Sequence, residues 1–266
     1  MTPASDRSAF FARTRLRLAE TMRAANPVVL RRNRRYLRDV AEVLPVPPAH
    51  VLVQVAGAAD VRWFLESGRL AVEAMSDALA RQGTEPNDLH AILDFGCGCC
   101  RVARHWPSLT DAAITGVDYN PRQIAWCRRH LPFGHFAVND LLPPLAFPDA
   151  SFDLIYALSV LTHLPVAAQF AWLDELARVL RPGGYLLLSL HGAHYRADLS
   201  AEERDAFDRG NVVVRHATVA GTNRCTSFHP EAFVRSQMQR GLTLIEHIPA
   251  GAAGNPFQDQ VLLRKV

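Results

Sequence analysis

Apolar side chains recur along the chain in two rhythms, and the switch between them falls near residue 88. Upstream the spacing is helical. Residues 5–25 carry Phe10, Phe11, Leu16, Leu18 and Met22 among arginines, and residues 28–44 resume the pattern after Pro27, which predicts two amphipathic helices. The run Leu44-Pro45-Val46-Pro47-Pro48 then forces an extended linker. Val61, Leu65, Val72, Met75 and Leu79 recur at roughly 3.6-residue spacing and predict a further helix, bent at Gly68. Residues 82–88, rich in Gly, Pro, Asn and Asp, end it and read as a domain boundary.

From His90 onward short apolar runs alternate with helical ones. Strands are expected at residues 91–95, 113–117, 135–138, 152–157, 185–190, 242–248 and 260–263. A helix is expected to start at Arg101, with others over 121–131, 165–180 and 230–239. Continuous apolar strands separated by helices mark a buried parallel sheet, so the class is α/β. The last two strands have no long helix between them and should form an antiparallel pair at the sheet edge. No internal repeat interrupts this order.

Composition adds little to that picture but removes alternatives. An apolar fraction of 49% with 21% charged residues is ordinary for a folded domain, and 266 residues suit one core with a helical appendage. No window reaches about 18 uninterrupted apolar residues, and arginines interrupt the start where a secretory signal needs an apolar centre. A soluble, cytoplasmic protein is the expectation. The net charge of +3 hides an asymmetry: residues 1–40 hold Asp6, Glu20 and Asp39 against ten arginines. That block is either a solvated helix face or a contact for an anionic partner such as nucleic acid. Three of the five cysteines crowd into residues 97–100, too close for a disulfide framework or a zinc pair, so reduced thiols are expected.

The chemistry concentrates where the first strand, Ala91-Ile92-Leu93-Asp94, runs into Phe95-Gly96-Cys97-Gly98-Cys99-Cys100. Glycines in the first strand-to-helix turn of an open α/β sheet let a ligand approach the backbone at the carboxyl ends of the strands. The third glycine of a dinucleotide fingerprint is missing, and no Lys-Ser or Lys-Thr follows to hold a phosphate. Asp118 closes the second strand, where a carboxylate can accept from both hydroxyls of a ribose. A nucleoside ligand is implied.

With these residues the chain resembles a class I S-adenosylmethionine-dependent methyltransferase of the small-molecule type. The likeness rests on Leu93-Asp94-Phe95-Gly96-Cys97-Gly98, Gly116-Val117-Asp118, Asn139-Asp140-Leu141, Phe152-Asp153-Leu154-Ile155 and residues 175–184, in that order. It implies a Rossmann-like, mostly parallel seven-stranded sheet with an antiparallel edge strand over residues 88–266, and an N-terminal helical extension or lid over 1–87. It also implies S-adenosylmethionine as cofactor, held by Asp94, Gly96, Gly98, Arg101, Asp118, Tyr119, Asn139, Asp140, Leu141 and Leu158. Gly96 and Gly98 would lie beside its amino acid and ribose, Asp118 on the ribose hydroxyls, Tyr119 against the adenine and Asp140 at the exocyclic amine. Arg101 either pairs with the methionyl carboxylate or stays on a helix surface. Cys100 replaces the third glycine, at a slight cost in helix-to-strand packing.

The acceptor side is less marked. Methyl transfer from a sulfonium is an in-line displacement, so a base matters where the acceptor is a hydroxyl or ammonium. His163 suits that role or caps the following helix, and His191 is a second candidate. Tyr156, Ser159, His194 and Tyr195 are candidate substrate residues. The His191-x-x-His194 pair lacks the carboxylates that magnesium needs, so no metal is expected. The acceptor is expected to be a small, partly hydrophobic molecule methylated on O or N, with no membrane partner. The alternatives are an RNA methyltransferase using the basic N-terminus and a cofactor-binding homologue without transfer. Against the first, Ala157-Leu158-Ser159-Val160 lacks the Asn/Asp-Pro-Pro-Tyr grip on a flipped base.

Overall fold

A computed structural model describes residues 22–40 and 42–266. Helix α1 (Pro27–Asp39) starts at Asn26, whose side-chain oxygen accepts from the backbone of Val28 and Val29, with Pro27 in the first turn. The helix expected over residues 5–25 lies outside the described residues apart from its last positions. After the proline linker comes α2 (Ala49–Ala56), a helix the sequence pattern does not predict. Its run Val51-Leu52-Val53-Gln54-Val55 has strand-like composition, and Gly57, at φ 67°, ends it in the left-handed region. Helix α3 (Val61–Ala80) is capped by Asp60, which accepts from Trp63 N at 3.1 Å.

The main sheet has seven strands in the order β3-β2-β1-β4-β5-β9-β8. They are β1 (Ala91–Phe95), β2 (Ala113–Asp118), β3 (Gly134–Val138), β4 (Phe152–Leu158), β5 (Leu180–Leu190), β8 (Leu242–Ile248) and β9 (Asp259–Lys265). The first five pair in parallel; β9 runs against both β5 and β8, which completes the antiparallel edge. Alternate residues feed two cores. Leu93, Phe95, Ile155, Ala157, Leu186 and Leu188 face helices α5 (Val166–Val179) and α7 (Glu231–Gln237). Ile92, Leu154, Tyr156 and Leu187 face α3 and α4 (Pro121–His130).

Val72, Met75 and Leu79 of α3 share that second core with the strands, and residues 82–88 turn the chain from α3 into β1. One expectation changes. Where a helix was expected from Arg101, the chain makes only 3-10 turns over Ala103–Ser108, with Pro107 inside them. Helix α3 packs there instead: a Cβ on Gly68 would lie 1.9 Å from the Arg101 carbonyl oxygen, so the glycine serves close contact. Residues 191–229 build a satellite of α6 (Ala201–Asp208) and the hairpin β6 (Val213–Arg215)/β7 (Thr226–Phe228), closed over Leu199 and Phe207.

Candidate active site

In the strand order the chain winds outward from β1 in one direction and from β4 in the other. Ligands bind at the carboxyl ends of strands at such a switch point. A cavity of about 510 Å³ lies there. Its floor is the loop after β1, where Gly96 and Gly98 have φ of 77° and 55° and the amides of Gly96 and Cys97 donate to Val117 O. A Cβ on Gly96 would lie 2.4 Å from Val160 Cγ2, and one on Gly98 2.9 Å from Val55 Cγ2, so larger residues would fill the space.

Asp118 stands beside this floor. One carboxylate oxygen accepts from Gly98 N at 2.9 Å and the other from Asn120 N at 2.8 Å. Burial raises its pKa and these two amides oppose the rise. Asp94, deeper in the cavity wall, is pushed up to about 7 by burial, with Arg101 pulling down. Arg101 is itself buried and not on a helix surface. Its guanidinium donates to Ser67 Oγ, Gly254 O and Asn255 Oδ1 and lies 5.1 Å from the Trp63 ring. Tyr119, Asn139, Asp140, Leu141 and Leu158 also line the cavity. Leu141 is held by Trp172 Nε1, which donates to its carbonyl at 3.0 Å. The buried oxygens Gln123 Oε1 and Asn139 Oδ1 have no hydrogen-bond partner among the described residues.

A strap between β6 and β7 crosses above. Gly221, at φ 77°, donates its N–H to His163 O at 2.8 Å, and a Cβ on it would lie 2.6 Å from Leu141 Cδ1 and 3.5 Å from Tyr119 Cζ. Asn223 Nδ2 donates to Gln54 O at 3.2 Å, while Asn120 Nδ2 donates to Gln54 Oε1 at 3.1 Å. Strap, α2 and the turn after β2 are thereby joined. His163 lines the cavity beneath, with Nδ1 2.8 Å from Cys225 O. A carbonyl only accepts, so Nδ1 carries the proton and Nε2 the lone pair. Burial lowers the pKa of the ring, which keeps it neutral near pH 7.

Other candidates lie elsewhere. Tyr156 is fully buried on the α3 face of β4, 6.2 Å from Trp106, and does not reach the cavity. His191 sits behind it between Tyr195 and Phe228, with Nδ1 3.3 Å from Ser227 O and a pKa lowered by burial to about 4. His194 stacks on Phe257 at 4.1 Å, and Tyr195 Oη donates to Pro256 O. Both buttress the loop before β9 without lining the cavity. Ser159 does line it, but its hydroxyl is engaged by Gln258 Nε2 and Thr162. Among the described residues no group of His, Cys, Asp or Glu is placed to hold a metal, and no helix is long and apolar enough to cross a membrane. Gln54, Gln123, Asn223, Asn255 and Gln258 are cavity residues that sequence reading missed, since polar loop residues carry no periodic signal.

Comparison with known proteins agrees with this geometry. Residues 93–188 match the methyltransferase domain family. Over 101 residues the chain is 35% identical to 2-methyl-6-phytyl-1,4-hydroquinone methyltransferase of Synechocystis sp., covering 37% of this chain and 31% of that one. Over 136 residues it is 32% identical to O-methyltransferase cnsE of Penicillium expansum, covering 48% of each. The chain thus spans a third to a half of the length of these relatives. In fold it is similar to 1,6-didemethyltoxoflavin-N1-methyltransferase of Burkholderia thailandensis, with a TM-score of 0.54, 19% identity, and coverage of 85% of this chain and 93% of that one. Glycine loop, acidic strand end, strand order and sequence match coincide on one segment: residues 93–188 carry a methyltransferase domain.

Proposed function

We propose that the protein binds S-adenosylmethionine in the 510 Å³ cavity and methylates an oxygen or nitrogen of a small, partly hydrophobic metabolite. The observation that carries this is the joint placement of the Gly96–Gly98 cradle and the oriented Asp118 carboxylate at the switch point. The residues fit the cofactor: glycines leave room for it, and the buried, unpartnered oxygens of Gln123 and Asn139 call for donors such as its amine and amino groups. Bound there, the cofactor supplies an activated methyl on a sulfonium.

The chain's own residues do the rest. Asp118 has lone pairs left for the ribose hydroxyls, Asp140 accepts from the adenine amine, and Tyr119, Leu141 and Leu158 enclose the base. Arg101, fixed by Ser67, Gly254 and Asn255, supplies the positive charge for the methionyl carboxylate. The Nε2 of His163 takes the proton that the acceptor O–H or N–H loses as its bond to the methyl forms. The described part of the N-terminal extension and the strap over 216–225 enclose the acceptor, with Val53, Gln54 and Val55 in the cavity wall, and residues 88–266 form the cofactor-binding domain. Calorimetry with S-adenosylhomocysteine tests the cofactor, and a panel of phenolic, hydroquinone and amine metabolites with methyl-labelled cofactor tests transfer. Binding and label transfer to one class are expected; absence of binding by the folded protein overturns the reading.

A further inference from the structure

Three thiols meet beneath the cofactor loop, and methyl transfer uses none of them. Cys97 and Cys100 lie on the loop, Cys127 on α4, and all three are buried. Cys100 Sγ donates to Cys127 Sγ across 3.4 Å. The sulfurs of Cys127 and Cys97 approach the Gly98 carbonyl at 3.5 and 3.6 Å. Cys100 also holds a φ of 60°, a backbone conformation that favours glycine, so a side chain is present where local geometry would omit one. Cys97 lines the cavity, and Cys100 and Cys127 are fully buried behind it. No metal-binding group is formed there among the described residues.

We propose that Cys100 and Cys127 are a reversible oxidation site: a peroxide entering the cofactor cavity joins them in a disulfide that withdraws the loop from the cofactor. The Cys100 thiol donates to Cys127 Sγ and holds Cys127 below the ordinary thiol range, while burial pushes Cys100 up, so Cys127 is the nucleophile. Its thiolate attacks the peroxide, forming an S–O bond as O–O breaks; the departing hydroxide takes a proton and leaves as water. Cys100 sulfur then attacks that sulfenic sulfur, S–S forms, S–O breaks, and the hydroxide leaves as water with the Cys100 proton. Two thiols are oxidised and one peroxide is reduced to two waters. Cys127 is fixed in a helix, whereas Cys100 is on a loop followed only by 3-10 turns, so the loop moves. Gly98, whose N–H is on Asp118 and whose carbonyl touches Cys127, moves with it.

The loss of affinity rests on the proposed cofactor role of this loop; the disulfide does not. Reduced protein is treated with hydrogen peroxide, digested without reductant and mapped by mass spectrometry, and S-adenosylhomocysteine affinity is measured before and after. Expected are a peptide joining Cys100 to Cys127, affinity weakened at least about tenfold and restored by dithiothreitol, and slower crosslinking when the ligand is already bound. Absence of that peptide, or its presence with unchanged affinity, overturns the proposal. Cys100→Gly suits the backbone, so it should fold; peroxide should leave its affinity where it was before treatment, and a loss equal to wild type would count against the mechanism. Reduced protein that fails to bind the ligand refutes the transfer reading and the affinity half of this inference, while the linked peptide still decides the disulfide.

Discussion

Replacing Asp118 by Asn isolates the charge at the centre of the proposed cofactor site while keeping its shape. The native carboxylate uses its two oxygens on Gly98 N and Asn120 N, at 2.9 and 2.8 Å, and keeps lone pairs for two ribose hydroxyls. An amide keeps one oxygen and turns two N–H donors toward a position that an amide and a hydroxyl both approach as donors. One charge-assisted bond to the ligand is lost outright, worth about 1.5–3 kcal/mol, which is roughly a tenfold to hundredfold loss of affinity. The intramolecular clash also costs stability, but it is present with or without ligand. Calorimetry with S-adenosylhomocysteine, paired with thermal melting of the ligand-free variant, separates the two. A variant that melts lower yet binds as tightly as wild type would show that Asp118 only braces the loop, and the ribose assignment would be abandoned.

Three further outcomes are expected. His163→Ala should hold S-adenosylhomocysteine within about twofold of wild type and slow label transfer to a hydroxyl or ammonium acceptor by about 10²–10⁴; equal losses in both assays would make the histidine structural. Burial lowers His105 and His191 to about 4 and His229 to about 3, so between those values and the unfolded value near 6.5 the unfolded chain binds more protons. Their stabilisation is complete above about pH 6.5 and declines as the pH falls toward 4, each by up to about 1.4 kcal/mol per pH unit. Asp94, raised to about 7, gains in the opposite sense by a single proton, so the melting temperature should drop between pH 7 and 5; a rise would refute the neutral buried histidines. Gly68→Ala drives a methyl to 1.9 Å from the Arg101 carbonyl, and chemical denaturation should register a loss of about 1–3 kcal/mol or more, since backbone must yield; an unchanged midpoint would deny the close contact.

Strands, glycine loop and acidic strand end were legible because each is a local signal: apolar runs of five to seven residues, and two glycines after Asp94. Which face a strand residue takes was not. In Phe152–Leu158 nearly every position is apolar, so nothing local says that Tyr156 points toward α3 and away from the cavity. Helix α2 was hidden for a related reason, since Val-Leu-Val-Gln-Val has no helical stripe. The cavity's polar network was illegible in principle: Gln258 meets Ser159 and Asn223 meets Gln54 across 99 and 169 residues of chain, and single amides in loops announce no partner. His163 could be chosen by position alone, whereas its tautomer needed the Cys225 carbonyl, 62 residues away.

The strap over the cavity has a consequence for timing. The loop above the cavity is fastened to α2 by the Asn223–Gln54 bond, and its other end holds the His163 ring through Cys225. Releasing the fastening to admit or discharge a ligand also loosens the carbonyl that fixes the imidazole proton on Nδ1. If His163 is the base, as proposed, a molecule with the strap released would have its base unaimed and one with the strap fastened would have it aimed. On the proposed reading, strap release and proton abstraction would be separate moments of the turnover cycle, which would keep the activated methyl from meeting water beside a poised base.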